Sequence, residues 1–302
     1  MIHKPVLVKE VLEYLDPKPN ENFIDGTIGQ AGHAIEILKK NGPDGKVLGI
    51  DLDASQVENS KLSAIDAKER ITLVNDSYAN IKEIVEKISF KPVSGILLDL
   101  GYSSWHIENS NRGFSFTRNE MLDMRYDLHN TLTAAKIVNE YREDEIEKII
   151  KDFGEEKFAR QIAKEITKQR KVKKIESTFD LMDIIASAIP TFAKSKSQGL
   201  SAWAKAQVGA KTFQALRIAI NGELDNLEKF LPQAIEVLDQ GGRLVIMSFH
   251  SLEDRIVKNF FKNKEKENIL KILTKKPIVA GLDEVNSNPR SRSAKLRAAI
   301  KI

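Results

Sequence analysis

The chain has 302 residues, 41% of them hydrophobic and 30% charged, with a formal net charge of +4 and a pI near 8.9. That length holds two domains, or one domain with a large insertion, and the mildly basic balance permits a nucleic-acid partner without requiring one. Cysteine is absent, which excludes disulfides, thiolate zinc sites and a cysteine nucleophile. No apolar run approaches the ~20 residues that span a bilayer, and Met1-Ile2-His3-Lys4-Pro5 has no signal-peptide pattern. No membrane partner is therefore expected, and a cytoplasmic location is.

In chain order, Val6, Leu7, Val11, Leu12 and Leu15 form a helical stripe closed by Asp16-Pro17-Lys18-Pro19. Phe23-Ile24-Asp25 then reads as a short strand ending in a carboxylate. A loop with glycines at positions 26, 29 and 32 follows, and an amphipathic run leads to about Lys40. Strand, tight loop and helix start bring backbone N–H groups to the C-terminal edge of a sheet, where α/β folds bind nucleotide-like ligands. The spacing is GxxGxxG, not the GxGxxG of dinucleotide sites. Asp25 would repel a pyrophosphate and attract an ammonium or sulfonium group, and S-adenosylmethionine carries both. The plain alternative is a glycine-rich turn with a capping aspartate.

Lys46 to Asp51 reads as a second buried strand ending in an acid, residues 54–66 as a helix, and Ile71 to Val74 as a third strand. Ile81, Ile84, Val85 and Ile88 mark another helix, and Val93 to Leu100 a fourth strand. Apolar strands alternating with helices indicate a parallel sheet covered on both faces. Asp51 suits two hydrogen bonds to ribose hydroxyls, a feature NAD and S-adenosylmethionine share; as a purely structural residue it would sit at a helix N-terminus. Asp99-Leu100-Gly101-Tyr102-Ser103-Ser104-Trp105-His106 sets a carboxylate, hydroxyls, an aromatic and an imidazole after the fourth strand. This is where methyltransferases of this architecture bind the acceptor. A nucleophile elbow is the rival reading, but Trp105 stands where GxSxG needs glycine; a polar capping loop is the other.

Between Asn109 and Ala206 the pattern is helical, with Phe158, Ile162 and Ile166 on one face and Ser177 as the N-cap of a helix through Ile189. Gly242 to Met247 returns to strand. A helical domain inserted after the fourth strand accounts for both. Lys168, Arg170, Lys171, Lys173 and Lys174 form its densest basic run, with Lys194, Lys196, Lys205 and Lys211 as a second cluster and Arg290, Arg292, Lys295 and Arg297 in the tail. These read either as phosphate contacts or as a solvated surface. Trp105, Phe114 and Phe116 are candidates to stack a base. Ser251 with Asp254 resembles a capping box, which leaves His250 as an active-site wall residue at the same sheet edge as Asp25 and Asp99.

Several blocks together resemble the family of bacterial ribosomal RNA small subunit methyltransferase H. They are Asp25-Gly26-Thr27 with Gly32-His33, Asp99 to Ser104, Arg112-Gly113-Phe114-Ser115-Phe116, Leu122-Asp123-Met124-Arg125, Thr212 to Ile218, Ser248 to Arg255, and Asn288 to Ser293. They are collinear over nearly the whole chain. The resemblance implies an α/β fold: a Rossmann-like class I methyltransferase core with a mostly parallel sheet (1–108 and 207–302), plus an inserted all-helical domain for substrate recognition (109–206). It also implies a long helix from about Gln207 to Phe230 leading back to the core. The implied activity is S-adenosylmethionine-dependent N4-methylation of a cytidine in the decoding region of small-subunit (16S) ribosomal RNA, within the ribosomal particle. Expected cofactor contacts are Asp25, Gly29, Ala31, Gly32, His33, Asp51, Tyr78, Asp99 and His106, and expected catalytic residues are Asp99, Ser103 and His250, with no metal. The chain departs from the family where GRGGH becomes Gly29-Gln30-Ala31-Gly32-His33 and Pro-Gln becomes Trp105-His106. Tyr126 replaces a methionine, and Val208-Gly209 stands near a missing His-Pro. A NAD-dependent oxidoreductase and a non-catalytic RNA-binding protein are the alternatives; the first predicts a GxGxxG loop that is not there.

Overall fold

The computed structural model describes residues 5–189 and 202–302, the side chains of 202–207 excepted. Two compact units emerge, one formed by residues 1–101 with 224–302 and the other by 102–223. The first is built on a seven-stranded sheet. Its strands are β1 (Phe23–Asp25), β2 (Val47–Asp51), β3 (Ile71–Asn75), β4 (Gly95–Asp99), β5 (Arg243–Ser248), β6 (Leu270–Ile272) and β7 (Lys295–Lys301). Their order is β3-β2-β1-β4-β5-β7-β6. β1 to β5 run parallel, and β7 is antiparallel to both its neighbours. This is the α/β, mostly parallel, Rossmann-like arrangement expected.

β1, β2 and β4 read as unbroken apolar runs because helices cover both faces of the sheet, leaving no solvent side for polar residues. One face packs Ile24, Leu48, Ile96, Leu98 and Ile246 against helical Ile81, Ile84, Leu227 and Phe230. The other packs Phe23, Val47, Leu97 and Val245 against Val11, Leu15, Ile37 and Leu38. Within β1, β2 and β4, only the acids at the strand ends, Asp51 and Asp99, emerge from full burial.

Among its described residues the regular elements of the second unit are helices. Its core includes Ile137, Ile146, Ile150, Ile162, Ile166, Leu181, Phe213 and Leu216. Ser177 caps the helix Thr178–Ala188, accepting from the N–H of Asp180. The unit begins at Tyr102 and ends at Glu223, not at 109 and 206. The reason is packing: Phe213, Leu216 and Ile220 insert into the helical core, and His106 joins Phe114 and Tyr126 in an aromatic cluster.

The single helix expected over 207–230 is two helices, Ala202–Asn221 and Glu223–Val237. Gly222 separates them with φ +57°, a left-handed conformation that ends a helix and suits glycine. β6 and β7 were not anticipated, so Lys295 and Arg297 belong to a strand and not to a free basic tail. Arg297 is buried and donates to both Asp254 oxygens, at 2.6 and 3.2 Å. No helix among the described residues is long and apolar enough to cross a membrane.

Candidate active site

Parallel register brings three strand-end carboxylates to one edge of the first unit. Asp25 pairs in register with Gly49 of β2 and Leu97 of β4, so Asp51 and Asp99 each stand two residues further along their strands. The loop after β1 climbs between those strands. The N–H of Gly26 donates to Leu97 O and that of Ile28 to Ile50 O. Gly29 and Ala31 adopt φ of +51° and +62°, turning the loop so that the Gly29 N–H donates to Asp51 Oδ2 at 2.9 Å. A side chain at Gly32 would collide with Pro5, which explains that glycine by close approach.

Asp51 accepts from two backbone N–H groups, Gly29 on Oδ2 and Asp53 on Oδ1. Asp25 is 1% exposed and accepts from the Thr27 N–H at 3.2 Å. Burial, opposed by that bond and reinforced by the charge of Asp51, pushes Asp25 up to about 7. Asp99 keeps 22% of its side chain exposed, yet its Oδ1 is buried and has no hydrogen-bond partner among the described residues. Burial first, then the charges of Asp25 and Glu253, push Asp99 up to about 8. Its backbone N–H donates to the Thr27 hydroxyl at 2.6 Å. His33 is buried, with Nδ1 3.7 Å from Asp99 Oδ2. Tyr78 opens a short turn after β3 and packs its ring edge-on against Phe230, centroids 5.5 Å apart.

The residues beyond β5 differ from expectation in detail. The capping box is His250 with Glu253, one residue earlier than Ser251 with Asp254. Glu253 Oε2 accepts from the N–H groups of Phe249 and His250, and His250 Nδ1 accepts from the Glu253 N–H. His250 Nε2 lies 3.1 Å from Glu253 Oε1. The imidazole is thus explained as a helix cap, and Asp254 is free to hold Arg297. In the helical unit, Ser103 caps the short helix Ser104–Glu108, its N–H and hydroxyl at 3.0 and 2.9 Å from His106 Nδ1. Asp25, Gly29, Ala31, Gly32, His33, Asp51, Tyr78, Asp99 and His250 therefore share the first unit, and Ser103 and His106 belong to the second.

Thr27, Asp53 and Glu253 were missed in the sequence. Asp53, directly before the helix read over 54–66, and Glu253, three residues after a residue able to cap, carried capping signals there.

Burial and the charges of neighbouring carboxylates disfavour the ionised forms of Asp25 and Asp99, and Asp99 Oδ1 has no hydrogen-bond partner among the described residues. A ligand that carries an ammonium or sulfonium would offset both effects.

The MraW methylase family profile matches residues 1–302 of the sequence. The chain belongs to that family. It is 41% identical over 316 residues to ribosomal RNA small subunit methyltransferase H of Heliobacterium modesticaldum, covering 99% of this chain and 98% of that one. The Clostridioides difficile protein of the same name is 41% identical over 315 residues, with 99% of each covered. The one from Thermotoga neapolitana is 43% identical over 299 residues, covering 98% and 95%.

The blocks that mark this MraW-family chain in sequence hold the helical unit together. Buried Arg112 donates to the carbonyls of Arg125 and Tyr126. Arg125 grips Asp123 through two bonds of 2.7 Å. Arg217 pairs with Glu223 at 2.8 and 2.9 Å and lies 4.9 Å from the Tyr102 ring centroid. Phe114 is buried and stacks on Tyr126, Phe116 packs edge-on against Phe213 beside the helical core, and the third candidate ring, Trp105, lies 5.5 Å from the Arg112 guanidinium.

The basic run is largely engaged. Arg170 donates to the carbonyls of Val138 and Tyr141, while Lys168, Lys173 and Lys174 pair with Glu165, Asp180 and Glu176. Exposed pairs of this kind are worth roughly 0–1 kcal/mol, so those lysines can exchange partners and Arg170 cannot. Lys211 donates to Glu155 O. Lys194, Lys196 and the Lys205 side chain lie outside the described residues.

Proposed function

We propose that this methylase transfers a methyl group from S-adenosylmethionine to the N4 amine of a cytidine in the decoding region of small-subunit ribosomal RNA, in the cytoplasm. Family membership and the names of the relatives support the RNA class. The observation that carries the chemistry is the buried Oδ1 of Asp99, without a hydrogen-bond partner among the described residues, at the sheet edge beside Asp25. The same-strand-end carboxylates Asp25, Asp51 and Asp99, with Gly29, Ala31, Gly32, His33 and Tyr78, would hold the cofactor. When bound, S-adenosylmethionine supplies an electrophilic methyl on a positively charged sulfur.

The residues of the chain do the remainder. Asp25 and Asp99 ionise when a cation arrives, because its charge offsets the burial that keeps them protonated. Asp51, held by the N–H groups of Gly29 and Asp53, would accept from the ribose hydroxyls. Asp99 Oδ1 accepts a hydrogen from the cytosine amine and favours the pyramidal nitrogen on which the bond to the methyl carbon forms. The proton that the amine gives up would pass to the ionised Asp99 carboxylate, whose burial favours the protonated form. Ser103 and His250 serve as caps, which leaves proton work to Asp99. The helical unit is assigned to substrate recognition.

The test is incubation with isotopically labelled cofactor and small-subunit particles, then nucleoside mass spectrometry. N4-methylcytidine carrying the label is expected; label in another nucleoside, or in none, would overturn the assignment.

A further inference from the structure

The rings first expected to stack on RNA are engaged inside the helical unit: Phe114 on Tyr126, Phe116 on Phe213, and Trp105 beneath the Arg112 guanidinium. Phe179 is placed differently. It stands in the first turn of the helix Thr178–Ala188, is 46% exposed, and has no ring partner among the described residues. The backbone beside it is fixed. The Thr178 N–H donates to Glu120 O at 2.9 Å, the Glu120 N–H donates to the Thr178 hydroxyl at 3.1 Å, and Met121 bridges Ser177 in antiparallel register. Thr178 is fully buried there, and the side chain that follows it turns outward. Met121 leaves the same short ladder between buried Glu120 and Leu122, and is 69% exposed.

The surroundings of this apolar pair are basic. Arg118, Lys171, Lys173 and Lys174 are all exposed, against the two carboxylates Glu176 and Asp180. Lys173 Nζ lies 2.8 Å from Asp180 Oδ1, which keeps an ammonium beside Phe179, and Lys174 Nζ lies 3.5 Å from Glu176 Oε1. Pairs with lysines this exposed are weak enough to be exchanged for a phosphate. The centre of a protein–protein interface is depleted of charge, whereas an aromatic face set among cations suits a strand of flat bases on a polyanionic backbone.

We propose that Phe179, with Met121 beside it, is the platform on which an unpaired base of the RNA substrate stacks, with Lys171, Lys173 and Lys174 taking the flanking phosphates. The choice of RNA as occupant rests on the functional reading above; the geometry of the platform does not. Every base has a π face, so the contact holds the strand without reading its sequence. Bases in a duplex have both faces covered, so the platform accepts single strands and refuses paired ones.

The test uses the full-length protein and a fluorescein-labelled single-stranded RNA of about twelve nucleotides, within the span of such sites, with the same sequence as a duplex for comparison. Anisotropy gives the Kd as salt is varied. Phe179→Ala should weaken single-strand binding about fivefold or more, the low end for one base–aromatic stack. It should leave the salt slope unchanged, because no phosphate contact is lost. Duplex and cofactor Kd should each stay within about twofold, as for independent sites. Phe179→Trp should bind at least as tightly as the unaltered protein, and Phe179→Leu, apolar but without a π face, should lose as much as the alanine variant. An unaltered protein that does not bind the single strand, an unchanged Kd in Phe179→Ala, or full affinity in Phe179→Leu would overturn the proposal. So would a loss seen with whole small-subunit particles and not with bare RNA, which would assign the face to a protein of the particle. If particles acquire no labelled N4-methylcytidine while Phe179 still governs single-strand binding, the reaction assigned above fails and the platform stands.

Discussion

Acid should expel a cationic ligand from this site. Without a cation, Asp25 and Asp99 are held at about 7 and about 8 by burial and by the charges of neighbouring carboxylates. A ligand bearing sulfonium and ammonium charge binds the ionised forms, so each carboxyl still protonated must release its proton on binding. The free protein then holds more protons than the complex, and affinity falls as pH falls through 8 and then 7. With both titrations at those positions, the fraction of protein having both carboxyls ionised drops about 50-fold from pH 7 to pH 6, or about 2 kcal/mol. The two groups interact, so the steps belong to the pair.

Calorimetry with S-adenosylmethionine across this range, in two buffers of different ionisation heat, reads both the Kd and the proton count. Nearly two protons released at pH 6, falling towards none above 8, is the expected course. Asp25→Asn should reduce the change between pH 7 and 6 to about tenfold. S-adenosylhomocysteine, which lacks the sulfonium, should show a shallower dependence. A Kd constant or tightening towards acid, with heats independent of buffer, would refute the electrostatic account of the site.

Asp51→Ala frees the N–H groups of Gly29 and Asp53 and removes the ribose acceptor, so cofactor affinity should weaken by about 1–3 kcal/mol; an unchanged Kd would take Asp51 out of the cofactor site. Glu223→Gln leaves the buried Arg217 guanidinium without its ion pair, and urea unfolding should show a loss of about 3–5 kcal/mol; a loss below about 1 kcal/mol would mean that solvent screens the pair. Changing Lys168, Lys171, Lys173 and Lys174 together to Ser should raise the KM for RNA and reduce the slope of its salt dependence by about 0.7–0.9 for each phosphate no longer neutralised, with cofactor Kd unchanged. An unaltered salt slope would assign these lysines to a solvated surface. Arg170→Ser, in contrast, should lower Tm, because its guanidinium satisfies helix-end carbonyls.

The sequence alone determined the parallel sheet, because strands covered on both faces must be continuous apolar runs, and β1, β2, β4 and β5 are. It located Asp25, Asp51 and Asp99 at strand ends, since a polar residue closing an apolar run marks where the chain leaves the sheet. Local chemistry within four residues was equally legible, as Ser177 with Asp180 shows. Long-range pairing was not. β6 is a three-residue edge strand, and β7 begins and ends in lysine; neither has the pattern of a buried run, and both form only because β5 offers an open edge. Arg297 read as a surface cation until Asp254, 43 residues away, was brought beside it. The break at Gly222 was hidden by apolar periodicity on both sides of it. The cap after β5 was placed one residue late, at Ser251 and not His250, because only backbone dihedrals distinguish an N-cap from the first helical residue. The raised protonation of Asp25 and Asp99 was beyond the sequence as well. A carboxyl's affinity for its proton is set by the water it has lost and the charges it faces, and both are properties of packing that the order of residues does not state.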